Sequence, residues 1–287
     1  MLFLAAHCKY ILMKAYVYIG VTDEAVLSDG RIDGVLSELR EGGVDVHVME
    51  PCETSVSEAD ILLSIGGDGT FLAASALASK AGVPVVGVNL GRLGFLSENR
   101  PQSVVSALLA GDYVVENAPV LHACADSDCF QSAGLWPYAF NEFTVHRNGG
   151  SMLEVEVQVN GISLPSYWAD GLILSTAAGS TAYSLSVGGP IVMPGAKVLI
   201  ITPIASHNLN IRPLVVPDDS EVTFKVHARD GKALFTADNR AVEIVDGTEI
   251  VMSVAQFSLK RVRLNSSNFI NALTEKLLWG EDIRNNK

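Results

Sequence analysis

Residues Ile61 to Thr70 read Ile-Leu-Leu-Ser-Ile-Gly-Gly-Asp-Gly-Thr, an apolar run that stops at three glycines wrapped around one carboxylate; Phe71-Leu-Ala-Ala-Ser-Ala-Leu-Ala follows. The apolar run reads as a buried strand and the Ala/Leu-rich segment as a helix, with glycines that let the backbone turn tightly and leave its N–H groups open. Such a turn is a phosphate cradle. The first N–H groups of a helix lack intrahelical partners and lie at the positive end of its dipole, so an oligophosphate can rest against Gly66, Gly67, Gly69 and Thr70. Asp68 sets this cradle apart. A carboxylate among phosphates repels its ligand unless it holds Mg²⁺ or takes a proton from an attacking hydroxyl, which is the chemistry of phosphoryl transfer. The same residues also read as an ordinary strand-to-helix turn, since Asp-Gly is a common turn pair.

Further candidates lie in the second half of the chain. Asn141-Glu142 follows a strand, Trp168-Ala-Asp170-Gly171 leads into Leu172-Ile-Leu-Ser-Thr176, and Gly179-Ser-Thr-Ala-Tyr-Ser-Leu-Ser-Val-Gly-Gly-Pro190 is a polar run bounded by glycines. Asn141 can donate and accept at once, as an adenine edge requires. Asp170 and Glu142 only accept while ionised, which suits sugar hydroxyls or Mg²⁺. The Gly179–Pro190 run offers hydroxyls and amides to a large polar ligand, or serves as a Ser/Thr-rich helix cap with a Pro-ended loop. His122, His146 and His227 show neither a carboxylate partner nor metal-ligand spacing and read as surface residues, and His207 and Arg212 as parts of a solvated loop.

The elements that must position these residues change period along the chain. Ala15–Gly20, Val44–Met49, Ile61–Ile65 and Val83–Val88 read as strands, and Ile32, Val35, Leu36 and Leu39 mark one face of a helix ending at Gly42-Gly43. A Pro101-led helix runs through Ala110. Strands alternating with helices predict a Rossmann-like parallel sheet over residues 13–112, with ligands beyond the carboxyl ends of its strands. Gly66–Thr70 and Asn89-Leu-Gly-Arg-Leu-Gly-Phe95 both stand at such ends and are expected to face one crevice. From residue 113 the alternation is of period two: Leu153, Val155, Val157 and Val159 interleave with Glu154, Glu156, Gln158 and Asn160, and Asn160-Gly161 is a hairpin turn. Val222–Val226, Leu234–Thr236, Ile250–Val254 and Phe257–Leu264 read as further strands, with Asp230-Gly231 and Asp246-Gly247 as turns. The fold class is therefore α/β followed by a β-rich, sandwich-like domain over 113–267. Phe269, Leu273 and Leu277 form one stripe of a helix over 268–280, expected to dock on a domain.

Composition narrows the partners. The 287 residues are 48% hydrophobic and 18% charged, a globular balance with room for two domains. A net charge of −12 disfavours nucleic acid and anionic membrane surfaces, though backbone amides and Mg²⁺ can still supply a local positive field for phosphate. Cys8, Cys52, Cys124 and Cys129 are scattered without a Cys-x-x-Cys pair, as expected of reduced thiols in a cytoplasm. Met1–Leu12 lacks the basic start and cleavage site of a signal peptide, and Met13 precedes the first strand, so residues 1–12 are expected to be dispensable.

Gly66-Gly-Asp-Gly-Thr70 after a strand resembles the signature of a kinase superfamily that includes NAD kinases, the diacylglycerol and sphingosine kinases and, more distantly, phosphofructokinases. Ser64–Leu72, Asn89–Leu96, Asn141-Glu142, Asp170–Thr176 and Gly179–Pro190 together resemble, in order and spacing, the successive motifs of bacterial NAD kinases, from about Ala15 to Trp279. The resemblance implies phosphorylation of the adenosine 2′-hydroxyl of NAD by ATP, or by polyphosphate, with a divalent metal. It implies Asp68 as the catalytic carboxylate, and Gly69 and Phe95 bordering the adenosine. It further implies Asn141 and Glu142 holding the dinucleotide, Asp170 bonding a ribose, and Thr181, Ala182, Tyr183, Ser184, Leu185 and Ser186 lining the pocket. A homo-oligomer, most simply a tetramer, is implied as well. The chain departs from the family pattern at Ala177-Ala178, where many relatives have Pro-Thr, at Trp168, where a basic residue is frequent, and at Asn239-Arg240, where Gly-Gln is common. Two other readings share parts of the pattern. A lipid kinase would need an apolar groove and a basic membrane-facing surface, which an acidic chain does not advertise. A non-catalytic dinucleotide-binding regulator would have no use for Asp68.

Overall fold

The computed structural model describes residues 13–20, 29–91 and 94–277. The chain divides into two compact units: one runs to Glu116 and resumes at Lys260, the other is Asn117–Leu259.

The first unit is built on four parallel strands, β1 (Lys14–Ile19), β2 (Asp45–Val48), β3 (Ile61–Ile65) and β4 (Val85–Val88), in the order β2-β1-β3-β4. Val17 pairs with Leu63 and Leu63 with Val86, and all five residues of β3 are buried, which explains its unbroken apolar sequence. Arg261 pairs with Val85 and extends this parallel sheet. Helix α1 (Gly30–Glu41) is capped by Asp29, whose carboxylate accepts the Arg31 amide, and buries Ile32, Val35, Leu36 and Leu39 as their spacing requires. Helix α2 (Asp68–Ala81) follows β3, and α3 (Pro101–Ala110) starts on its proline and ends at Gly111 in the left-handed conformation.

The second unit is antiparallel. Its strands are β5 (Tyr113–Ala125, which enters from the first unit), β6 (Tyr138–Ala139), β7 (Glu142–Arg147), β8 (Leu153–Val159), β9 (Ile162–Ser163), β10 (Tyr167–Ala169), β11 (Gly171–Thr176), β12 (Val198–Ile204), β13 (Leu214–Pro217), β14 (Val222–Ala228), β15 (Lys232–Ala237), β16 (Arg240–Val245) and β17 (Glu249–Leu264). Short helices α4 (Cys129–Ser132) and α5 (Tyr183–Ser186) interrupt them. One sheet of six strands has the order β13-β12-β11-β7-β15-β16, and a second ladder runs β10-β8-β14-β17. Phe143, Leu172, Leu174 and Phe235 from the first meet Val155, Val157, Phe224 and Met252 from the second in one core, so two sheets bury their inner faces against each other. The Asn160-Gly161 turn joins β8 to β9 with both residues at positive φ, 53° and 75°, as its sequence predicts.

Three expectations need correction. Ile250–Val254 and Phe257–Leu264 are one continuous strand, β17, because Ala255-Gln256 between them holds no turn-forming residue. In the last helix, α6 (Phe269–Leu277), Leu273 is buried but Leu277 is 38% exposed, so the apolar stripe ends a turn early; residues 278–280 of the expected helix, and residues 1–12, lie outside the described residues. His227 does have a carboxylate partner: its Nε2 stands 2.9 Å from Glu156, the diagonal neighbour on β8, whose register sets Glu154 directly opposite His227.

Candidate active site

In the first unit the glycine turn forms as read. Gly67 is the N-cap of α2 and contributes no side-chain cap to its first amides. A Cβ built on Gly67 or Gly69 would meet nothing within 4 Å, whereas one on Gly66 would strike Thr70 Oγ1 at 2.4 Å. Gly66 is therefore glycine for packing, with a φ of 150° that side chains avoid, while Gly67 and Gly69 leave open surface. Thr70, expected to border the phosphates, turns its hydroxyl toward Gly66 and Gly20.

Asp68 points into the loop after β4. Its Oδ2 accepts the Phe95 amide at 2.9 Å, and its Oδ1 those of Leu96 at 3.1 Å and Ser97 at 2.9 Å. The Ser97 hydroxyl donates back to the Gly67 carbonyl at 3.2 Å, closing loop and helix start onto each other. Ionised carboxylates offer about four acceptor positions, so the bonds to these amides leave roughly one, on Oδ2, for a ligand hydroxyl. Gly94 is required by this geometry: a Cβ there would lie 1.8 Å from Asp68 Oδ1. The two loops expected to share a crevice are thus joined through Asp68; Arg92 and Leu93 of the second lie outside the described residues. Arg261 steadies the same loop by donating to the Phe95 carbonyl at 3.2 Å and to Glu98 at 2.8 Å, an ion pair whose side chains are both 12% exposed.

The second unit gathers the other candidates. Asn141, 5% exposed, stands just before β7, and Glu142, 7% exposed, begins it. Their backbone is held by Asp238, whose carboxylate accepts the amides of Phe140, Asn141 and Glu142. Arg240 lies 3.6 Å from Asp238, donates to the Trp136 and Tyr138 carbonyls, and stacks 5.3 Å from the Trp136 ring. The Asn239-Arg240 departure is thus a support for the Asn141-Glu142 pair. The Gly179–Pro190 run packs directly on it, since a Cβ on Gly179 would sit 2.2 Å from the Asn141 carbonyl oxygen, and the Tyr183 amide bonds the Glu142 carboxylate. Within that run Ser184 is inward, its hydroxyl 3.0 Å from that of Thr202; Ser186 and Tyr183 are exposed, and Thr181, Ala182 and Leu185 partly so. Asp170, at the start of β11, takes the Arg147 Nε at 3.0 Å. Trp168 carries the Arg229 guanidinium 5.9 Å from its ring.

Charge in this pocket differs from the sequence reading. Burial, and then the Asp238 carboxylate, push the Glu142 carboxyl up to about 8. Burial raises the Asp238 carboxyl as well, against the opposing pull of its amide donors and Arg240, and Glu142, pushed up to about 8, keeps its proton at neutral pH. Glu142 can therefore donate, where an ionised carboxylate could only accept. Among the described residues, Glu142 Oε2 and Asn141 Oδ1 are buried without a hydrogen-bond partner. Unsatisfied buried acceptors are costly and mark a place that a polar ligand completes.

Asp238, Arg147 and Lys276, described below, are the residues that sequence reasoning missed. The Asp238-Asn239 pair with Asp238 at φ 51° was the available signal for a turn but not for its function. Among the described residues no cluster of three or more His, Cys, Asp or Glu could hold a metal ion.

Residues 36–113 match the family model of the ATP-NAD kinase N-terminal domain and residues 140–264 that of the C-terminal domain. The chain is 40% identical over 231 residues to an NAD kinase of Bacteroides fragilis, covering 79% of each chain. It is 42% identical over 230 residues to one of Flavobacterium psychrophilum, covering 79% of this chain and 78% of that one. Among solved structures, a yeast NADH kinase complexed with NADH superposes with a TM-score of 0.82 over 97% of this chain and 91% of its own, at 22% identity, a likeness of fold. An Archaeoglobus fulgidus NAD kinase in complex with ATP gives 0.74 over 92% and 98%, at 26% identity.

Proposed function

The chain belongs to the ATP-NAD kinase family, and we propose that its residues transfer the γ-phosphoryl group of ATP to the adenosine 2′-hydroxyl of NAD, giving NADP and ADP. The observation that carries this assignment of roles is Asp68, a carboxylate locked by loop amides at the start of a helix with no side-chain cap, with room for one further hydrogen bond. Asp68 accepts the proton of the ribose hydroxyl as its oxygen attacks the γ-phosphorus and the bond to the β-phosphate oxygen breaks. Gly66, Gly67, Gly69 and Thr70 frame the phosphates, Gly67 and Gly69 through open backbone. Mg²⁺ would enter as its complex with the nucleotide and neutralise charge on the phosphates.

Asn141 and Glu142 hold the dinucleotide with the buried polar atoms now lacking partners, Asn141 Oδ1 accepting and the protonated Glu142 donating, and Phe95, Asp170 and residues 181–186 complete its contacts. In this reading the α/β part handles phosphate and the β-rich part NAD. We further propose a cytoplasmic homo-oligomer, most simply a tetramer, for which the exposed Leu209 and the edge strand β13, with Leu214 and Val215 exposed, offer an apolar face. Light scattering reads the mass directly.

The purified chain with ATP, Mg²⁺ and NAD, coupled to an NADP-specific dehydrogenase, tests the activity. Asp68→Asn is expected to lower kcat by roughly 10²-fold or more while NAD affinity stays within about threefold, because a general base acts mainly in the transition state. Near-normal turnover in that variant would return Asp68 to the status of a turn residue.

A further inference from the structure

The ammonium of Lys276, on helix α6, is buried and, among the described residues, has no hydrogen-bond partner. It lies 4.2 Å from the centroid of the Phe95 ring, and Phe269 from the preceding turns of the same helix approaches that ring at 6.2 Å between centroids. Asp68 and Glu98 attract it, Arg261 repels it, and Glu275 on its own helix attracts it weakly. Neither nearby carboxylate is its bonding partner. Asp68 is taken up by the amides of Phe95, Leu96 and Ser97, and Glu98 by Arg261.

A desolvated ammonium with no acceptor is an expensive arrangement that a cation–π contact offsets only in part. Burial lowers Lys276 to about 8, which still leaves it mostly charged at neutral pH. Sites where a chain breaks a local rule of this kind are where function is expected. What the ammonium lacks is an anionic oxygen, and it lacks it beside the carboxylate and the uncapped helix start that already read as a phosphate cradle. A cleft of about 340 Å³ adjoins it, lined by Lys276 with Asn99, Arg100 and Ser103 and also by the carboxylates of Glu98 and Glu275, of which Glu98 is already paired with Arg261.

We propose that Lys276 is a further phosphate-binding residue of this site, its buried ammonium over Phe95 taking one oxygen of the phosphate chain of a bound nucleotide. The proposal rests on the reading of Gly66–Thr70 and Asp68 as a phosphoryl-transfer site. The oxygen belongs either to the triphosphate of ATP or to the pyrophosphate of NAD, and both present the same chemistry.

The test compares Lys276→Met, Lys276→Gln and Lys276→Arg with the unaltered chain, titrating ATP, NAD and adenosine calorimetrically beside steady-state KM values. Loss of a charged hydrogen bond should weaken one phosphate-bearing ligand about tenfold or more in the Met and Gln variants, with adenosine unchanged. Arginine should restore binding to within about threefold. The ligand that weakens, ATP or NAD, identifies the source of the phosphate. Melting temperatures of the Met and Gln variants should hold or rise, since an uncompensated buried charge is removed. Unchanged ATP and NAD affinities would overturn the proposal. So would an equal loss for adenosine, which would make Lys276 a support of the Phe95 ring, or a fall in melting temperature of more than about 5 °C in both neutral variants. Absence of NADP formation by the unaltered chain would sink the family chemistry instead, while the comparison of ATP with adenosine still judges Lys276.

Discussion

Glu142→Gln should make the protein more stable than the unaltered chain in alkaline solution and no more stable in acid. Glu142 is 7% exposed and is bonded by the Tyr183 amide, with Asp238 beside it, and its folded carboxyl loses its proton only near pH 8. In the unfolded chain the same group titrates near 4.5. A carboxyl raised on folding contributes fully below the unfolded value, and that contribution is lost as pH rises toward the folded one. Between about pH 4.5 and 8 the unfolded state gains charge that the folded state cannot, so stability declines; above 8 the penalty is constant. At about 1.4 kcal/mol per pH unit the interval sets a ceiling of about 5 kcal/mol, which relaxation and water entry reduce. Glutamine keeps the size and the acceptor for the Tyr183 amide but cannot ionise. Denaturant midpoints measured every half pH unit from 5 to 9 should therefore diverge, with the variant ahead by roughly 2 kcal/mol or more at pH 9. NAD affinity at pH 6.5 should stay within about threefold, because a protonated carboxyl and an amide both donate and accept. Parallel stability curves for the two proteins would refute the claim that Glu142 is held neutral.

Asn141→Ala should weaken NAD binding by about 1–3 kcal/mol in calorimetry with kcat at saturation little changed, since the amide pairs with the ligand in the ground state. A loss confined to kcat would remove it from the binding surface. Gly94→Ala should displace Asp68, whose Oδ1 lies 1.8 Å from the new Cβ, and cost roughly 10-fold or more in kcat together with a lower melting temperature. Wild-type turnover there would mean the loop has another way to hold the carboxylate. Arg261→Met breaks the buried pair with Glu98 and should destabilise the chain by about 3–5 kcal/mol in denaturant titration, whereas the double variant Arg261→Met, Glu98→Gln should recover much of it. Equal losses in both would locate the effect in packing.

Much of this protein is written in local pattern. The unbroken apolar run of β3, the spacing of Ile32, Val35, Leu36 and Leu39, and the Asn160-Gly161 turn report on chemistry within a few residues, and each predicts the element that forms. The glycine turn around Asp68 is legible for the same reason: a helix start without a side chain is a local property of the backbone. The continuity of β17 is not local in this way: Ala255-Gln256 carries no turn residue, and the strand's pairing partners lie far away in sequence.

Tertiary structure alone assigned what those residues face. Asp68 meets the Phe95–Ser97 amides 27 to 29 residues away, and Asp238 holds the backbone of Phe140–Glu142 from 96 to 98 residues away. The proton on Glu142 and the orphaned ammonium of Lys276 follow from burial, a property of the folded surroundings that no residue carries in its own sequence neighbourhood. Identity and spacing determine which groups can do chemistry; desolvation and long-range hydrogen bonding determine in which charge state, and toward which partner, they do it.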